Sequence, residues 1–223
     1  WLWSYKSSKV FTMRIAILTS ENQWFEDYVQ TLSESLDNAP LYNNHKDIKV
    51  NYDIVFILGY HQLVGKEFLS SNTHNIVIHE SLLPEGKGWA PLFWQILEDK
   101  KLIPFTMFEA SNGVDGGDIY LVDELELTGF ELNDELRKKQ ANKIIDMCIS
   151  FVTNYEEYKI SRKQSGHETF YAKRGPNDSR LNIHKSIKEQ FNLLRIVNNE
   201  EYPAFFEVDG RKYLLKIENI EGE

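Results

Sequence analysis

Short apolar runs alternate with stretches of helical spacing along most of this chain, and that alternation leaves few folds open. RIAILT (14–19), YDIVFIL (52–58) and NIVIH (75–79) are nearly continuous, β-rich runs, as expected of strands covered on both faces. IPFTMFEA (103–110) reads as a fourth buried strand, and DIYLVDELEL (118–127) alternates enough to be half exposed. Between them lie helical patterns. WFEDYVQTLSESL (24–36) puts Trp24, Tyr28, Leu32 and Leu36 on one stripe, GKEFLS (65–70) is short, and APLFWQILEDK (90–100) carries Pro91 in its first turn. Leu136, Gln140, Ile144, Ile145, Cys148, Phe151 and Val152 describe one long amphipathic helix over about 133–158.

Strands alternating with helices in this way predict an α/β architecture, a Rossmann-like, mostly parallel sheet with helices on both faces. The tail has another texture: a polar loop KRGPNDSRLN, a helix expected over 183–196, then PAFFEVDGRKYLLKI, where Asp209-Gly210 between alternating apolar residues is a hairpin signal. A small C-terminal α+β segment ending in a β-hairpin is therefore expected. The organisation that follows is 1–12 as a tag or extension, 13–160 as the catalytic domain and 161–223 as the C-terminal segment, with Met13 a natural start. WLWSYKSSKVFT (1–12) lacks the long apolar core of a signal peptide, and no apolar run approaches a bilayer span, so a cytoplasmic protein is expected.

With 223 residues, 42% of them apolar, the chain can build one substantial core. Its net charge of −9 argues against a nucleic-acid partner held through phosphates. The single cysteine, Cys148, excludes a disulfide framework and a cysteine zinc site, and no metal site is expected.

The stretch that invites chemistry is NIVIHESLLPEGKGWAP (75–91), where a buried strand ends on His79 and breaks into a loop with two glycines and two prolines. In a doubly wound sheet, ligands sit beyond the carboxyl ends of the strands. A lone strand-end histidine is more often structural than catalytic. The second signal is SNGVDGGDIY (111–120), which follows the next strand and carries Asp115 among glycines. In a parallel sheet successive strand ends are neighbours, which would bring Asp115 to His79. A carboxylate beside an imidazole fixes its tautomer and suits acid–base or oxyanion work. No dinucleotide fingerprint, Walker lysine or His-Glu-x-x-His is present.

HESLLPEGKGWAP followed by GVDGGDIY resembles the signature of the folate-dependent formyltransferases, Asn-x-His-x-Ser-Leu-Leu-Pro and a later Asp-x-Gly-x-Ile. The tail YAKRGPNDSRLNIHKSIKEQFNLLRIVNNEEYPAFF is similar to the C-terminal segment of the sugar N-formyltransferases of that family. The resemblance implies transfer of a formyl group from N10-formyltetrahydrofolate to an amine, with His79 and Asp115 catalytic. It implies folate contacts at Leu63, Val64, Ser81, Leu83, Gly86, Gly88 and Asp118. Acceptor contacts would fall to Trp24, Phe25, Lys87, Trp89, Lys173, Arg174 and Arg195. One departure is plain: the family's asparagine, two residues before the histidine, is Val77 here, and Asn75 lies a further two residues back. The oxyanion donor then comes from elsewhere, with Asn112 and Gln95 as candidates, or activity is impaired, or this branch works without it.

TSENQWF lacks a glycine-rich phosphate loop, and the tail is short and the chain acidic, which sets aside glycinamide ribonucleotide and tRNA acceptors. A nucleotide-linked amino sugar remains as the expected partner. The HESLLPEGKGWAP form is most similar to enzymes of the pseudaminic-acid type, in surface-polysaccharide biosynthesis, acting on a UDP-linked 4-amino-4,6-dideoxy-N-acetylhexosamine. A dTDP-linked amino-dideoxyhexose is the near rival, and a non-catalytic folate- or nucleotide-sugar-binding protein is the contrasting class. The resemblance also implies a homodimer.

Overall fold

The structure, a computed structural model, describes residues 13–220; the proposed extension 1–12 lies outside them. Its centre is a six-stranded sheet in the order β2-β1-β3-β4-β6-β7. These strands are β1 (Ile15–Leu18), β2 (Leu41–Tyr42), β3 (Ile54–Ile57), β4 (His74–His79), β6 (Leu102–Glu109) and β7 (Ile119–Glu126). Strands β2, β1, β3 and β4 pair in parallel; β6 runs antiparallel to β4, and β7 antiparallel to β6. Only β6 is reversed, so the sheet is mostly parallel, as expected.

The helices are α1 (Glu26–Ser35), α2 (Lys66–Ser71), α3 (Pro91–Leu97), α4 (Asn133–Thr153), α5 (Tyr155–Tyr158) and α6 (Phe191–Ile196). One face of the sheet holds the main core. Ile17, Phe56, Ile76, Ile78, Phe105 and Met107 meet Leu32 of α1, Leu92 and Ile96 of α3, and Leu136, Ile144, Cys148 and Phe151 of α4. Each such fully buried aliphatic or aromatic side chain contributes about 1.5–3 kcal/mol relative to exposure. The other face carries Ala16, Leu18, Val55 and Ile57, packed by Phe68 of the short α2 and by Tyr60 and Val64 of the preceding loop. The long helices thus gather on one side, and one short helix with loops covers the other.

Two local differences from the sequence reading have physical causes. The expected helix over 183–196 forms only at α6, after a single 3-10 turn at Lys188–Gln190. Residues 182–189 are held by side chains instead: Gln190 accepts from Asn182 N and donates to Asn182 O, while Glu189 accepts from Ser186 N and Oγ. The long helix breaks at Asn154, whose side chain donates back to Ser150 O, separating α4 from α5. The remaining strands are β5 (Lys87–Gly88), which pairs with β8 (Phe170–Tyr171), and the terminal hairpin of β9 (Ala204–Val208) and β10 (Arg211–Leu215). Asp209 and Gly210 turn that hairpin with positive φ, as their sequence signals. Among the described residues no helix is long and apolar enough to cross a membrane.

Candidate active site

His79 ends β4 and is 7% exposed. Its Nε2 lies 2.8 Å from Gly86 O, so that nitrogen carries the proton and donates it to the carbonyl. Asp115 Oδ2 stands 3.8 Å from the same nitrogen, too far for a hydrogen bond. The carboxylate is held by Gly88 N, which donates to Oδ2 at 2.9 Å. The loop Gly86–Gly88 therefore grips both groups, one through a carbonyl and one through an amide.

The expected pair is present, but the route to it differs from the one the sequence implied. Because β6 is antiparallel, its last residue, Glu109, lies opposite Ile76, while His79 lies opposite Thr106. The end of β6 is thus three residues, about 10 Å, short of His79 along the strand direction. Residues 110–118 close that gap as a loop whose base is fixed by Glu109 N donating to Asp118 O. Gly117 is obligatory there, since any β-carbon would overlap Glu109 O. Asp115 itself adopts φ +47, a left-handed conformation that aspartate tolerates better than most residues.

Around this pair, Ser81 is 2% exposed and its Oγ has no hydrogen-bond partner among the described residues. Thr106 Oγ1 donates to Ser81 O at 2.6 Å and fixes the turn after β4. Leu83 packs with Phe108 and Ile119 beneath the loop. Leu63 is 92% exposed, beside the half-buried Val64. Asp118 is half-buried, and its backbone serves the loop base. One rim is aromatic and cationic. Lys173 Nζ lies 4.7 Å from the Trp89 ring centre, His61 tilts against Trp89 at 6.4 Å, and Trp94 stacks on Tyr171 with Arg174 at 5.6 Å. Burial draws the Arg174 guanidinium below the usual arginine range, with Asp178 acting the other way.

Several expected acceptor contacts are not presented to a ligand. Phe25 is fully buried in the main core, packed against Trp24 and Tyr28. Arg195 is 2% exposed and bonded to Asn192 Oδ1 and Glu131 O, a structural arginine and not a pyrophosphate ligand. Lys87 is 4% exposed, with its ammonium 2.6 Å from Glu168 Oε1. Trp24 is half-buried, and Arg137 covers one face of its ring at 4.7 Å.

At the departure from the family signature, Val77 is a half-buried packing residue with no polar group to offer. Asn75 is spent on Leu69 O, Glu109 Oε1 and Asn72. Gln95 donates to Glu80 O and Pro91 O from inside α3. Of Asn75, Gln95 and Asn112, only Asn112 is exposed, in the loop of Asp115. Residues that the sequence reading passed over also meet here. Thr169 Oγ1 accepts from Gly86 N at 2.7 Å, and Gln164 Nε2 donates to Asp115 O and Gly117 O. No local sequence signal marks them, because they come from the segment after α5.

A family model described as formyl transferase matches residues 32–149. A methionyl-tRNA formyltransferase of Clostridium beijerinckii is 32% identical over 164 residues, covering 73% of this chain and 53% of that protein. The chain spans about half the length of the curated relatives it matches. Among solved structures, a methionyl-tRNA formyltransferase from Clostridium thermocellum superposes with a TM-score of 0.78 at 19% identity, covering 94% of each chain. A 4-N formyltransferase from Francisella tularensis gives 0.68 at 19% identity, covering 94% of this chain and 99% of that one. HypX from Aquifex aeolicus in complex with tetrahydrofolic acid gives 0.74 at 16% identity, covering 92% and 38%.

Proposed function

Because this chain belongs to the formyl transferase family, we propose that it transfers a formyl group from N10-formyltetrahydrofolate to the amino group of a nucleotide-linked amino-dideoxy sugar. The observation that carries the reading is the 3.8 Å approach of Asp115 to the protonated Nε2 of His79 in a loop-lined corner. The acceptor amine attacks the formyl carbon, the carbonyl oxygen gains negative charge, and the bond from that carbon to N10 breaks. The amine loses one proton and N10 gains one. In this reading the Asp115 carboxylate takes the first, and the His79 N–H steadies the developing oxyanion once it leaves Gly86 O. Val77 supplies nothing to that oxyanion, so His79 carries a larger share, with Asn112, exposed in the loop of Asp115, the amide candidate.

The donor reading is supported by the loop that brings Gly86 O to His79 and Gly88 N to Asp115, where glycines let a ligand approach the backbone closely. HypX, of similar fold, binds tetrahydrofolic acid. The acceptor reading rests on the exposed Trp89 with Lys173, and on Arg174 near Trp94: flat rings beside cations suit a base and a pyrophosphate. A UDP-linked 4-amino-4,6-dideoxy-N-acetylhexosamine is the first acceptor to try, and a dTDP-linked sugar the second. A homodimer through the C-terminal hairpin, with Tyr213 and Leu214 exposed on β10, completes the reading; a concentration-independent monomer in light scattering would remove it.

A second reading has its own support. Curated relatives include methionyl-tRNA formyltransferases, which makes charged tRNA the rival acceptor. The test incubates the protein with N10-formyltetrahydrofolate and each acceptor in turn, reading products by mass spectrometry. Formylation of a sugar nucleotide, lost in His79→Ala, is the expected result. Formyl-methionyl-tRNA would transfer the activity to the second reading. Formate released without acceptor would mean hydrolysis, and no product at all would leave a binding protein.

A further inference from the structure

We infer that Gln164 is a positioning residue of this site, setting the Asp115 carboxylate against His79 through the two carbonyls that flank Gly116. Asp115 sits in a loop with glycines at 113, 116 and 117, so most of its backbone lacks a ladder partner and depends on side chains for its shape. Gln164 Nε2 donates to Asp115 O at 2.7 Å and to Gly117 O at 2.8 Å. Both amide hydrogens are thereby used on the residue that carries the carboxylate and on the glycine that no other residue can replace. The reverse amide orientation would set an oxygen against two carbonyl oxygens, so the assignment is unambiguous. Among the described residues no other side chain donates to either carbonyl. The Oε1 of the same carboxamide is buried without a partner, a cost that the two donated bonds must outweigh.

Gln164 acts as part of a strap that crosses both halves of the site. The strap is anchored where Arg162 pairs with Ile119, at the start of β7. Five residues beyond Gln164, Thr169 Oγ1 accepts from Gly86 N, and Gly86 O receives the His79 proton. One end of the strap thus fixes the aspartate loop and the other fixes the loop that holds the histidine. The 3.8 Å between the two groups thus depends in part on a segment that hydrogen-bonds to neither side chain.

The kinetic part of the test rests on the formyl-transfer reading. Gln164→Ala is expected to lower kcat about 30-fold, with KM for donor and acceptor moving less than about threefold, since a misplacement near 1 Å can cost up to about a hundredfold. Gln164→Glu separates positioning from packing. Its carboxylate would face two carbonyl oxygens, whereas its protonated form regains one donor. The ratio of its turnover to the parent's should therefore rise as pH falls from about 8 to about 6, while the ratio for the alanine variant stays flat. An alanine variant within threefold of the parent, or a glutamate variant whose ratio is pH-independent, overturns the inference. If the parent transfers formyl to no acceptor, the function reading fails by itself, and the ring-nitrogen NMR signals of His79 decide the positioning role. Gln164→Ala should displace those signals in the same direction as Asp115→Asn; unchanged signals in Gln164→Ala overturn it.

Discussion

Asp115, left-handed in its backbone, is held from two directions: its carboxylate by Gly88 N and its carbonyl by Gln164. An Asp115→Asn substitution keeps the shape and leaves an acceptor for Gly88 N, but removes the negative charge beside His79. Turnover should fall by about a hundredfold or more, the scale of a lost general base, while the melting temperature stays within a few degrees. A loss of stability matching the loss of activity would show that the residue serves the fold. The meeting of His79, Asp115 and the Gly86–Gly88 loop was legible in the sequence because each stands in a spaced motif. Gln164 and Thr169 were not, because a single polar residue in a loop looks alike whether it is solvated or bonded 49 residues away. Phe25, Lys87 and Arg195 failed the other way: an aromatic or cationic residue near a motif suggests a ligand, and only packing shows that its partners are internal.

At the scale of elements, direction and length were the weak points. The apolar pattern of β6 is the same read either way, so nothing in it marks the strand as reversed, and α6 is short because polar side chains on 182–190 satisfy the backbone before a helix can. The junction between α4 and α6 gives a measurable prediction. Burial pushes the Glu131 carboxyl up, but the Lys139 ammonium and the N–H groups of Thr128 and Gly129 outweigh it and bring it down to about 2 from an ordinary 4.5. Arg195 Nη1, almost fully buried in α6, lies 3.6 Å from Glu131 Oε2. A depressed folded-state pKa means the stabilisation is complete above about pH 4.5 and drains as pH falls toward about 2. Glu131→Gln should cost about 3 kcal/mol at neutral pH, because it strands a buried guanidinium. Its stability should also fall less steeply than the parent's on acidification through that window. Parallel pH curves in urea unfolding would show that the carboxylate does not anchor the junction.

For the whole molecule, the expected boundary at residue 160 divides the chain where its texture changes, yet the contacts run across it. Gln164 reaches the Asp115 loop, Glu168 pairs with Lys87, Thr169 holds Gly86, β8 pairs with β5, and Ala172 O accepts from Trp94 Nε1. Farther along, Ile196 enters the main core and Arg195 closes on Glu131. Composition marks where a segment becomes polar, but a polar segment can still be stitched to a core through backbone and carboxamide bonds, which no hydropathy pattern records. A chain ending at residue 160 should therefore lose more than its tail. At about 1 kcal/mol for each of the four side-chain hydrogen bonds of Gln164, Glu168 and Thr169, the loss is roughly 4 kcal/mol before backbone pairing or apolar area is counted. For a chain of this size that lowers the melting temperature by about 10 °C or more. Turnover should vanish even at temperatures where the fragment stays folded, because His79 and Asp115 no longer share fixed supports. Calorimetry of the 13–160 fragment beside the full chain checks the first expectation, and formyl-transfer assays below the fragment's melting point check the second. A fragment that melts with the full chain and keeps its turnover would return residues 161–223 to the status of an appendage.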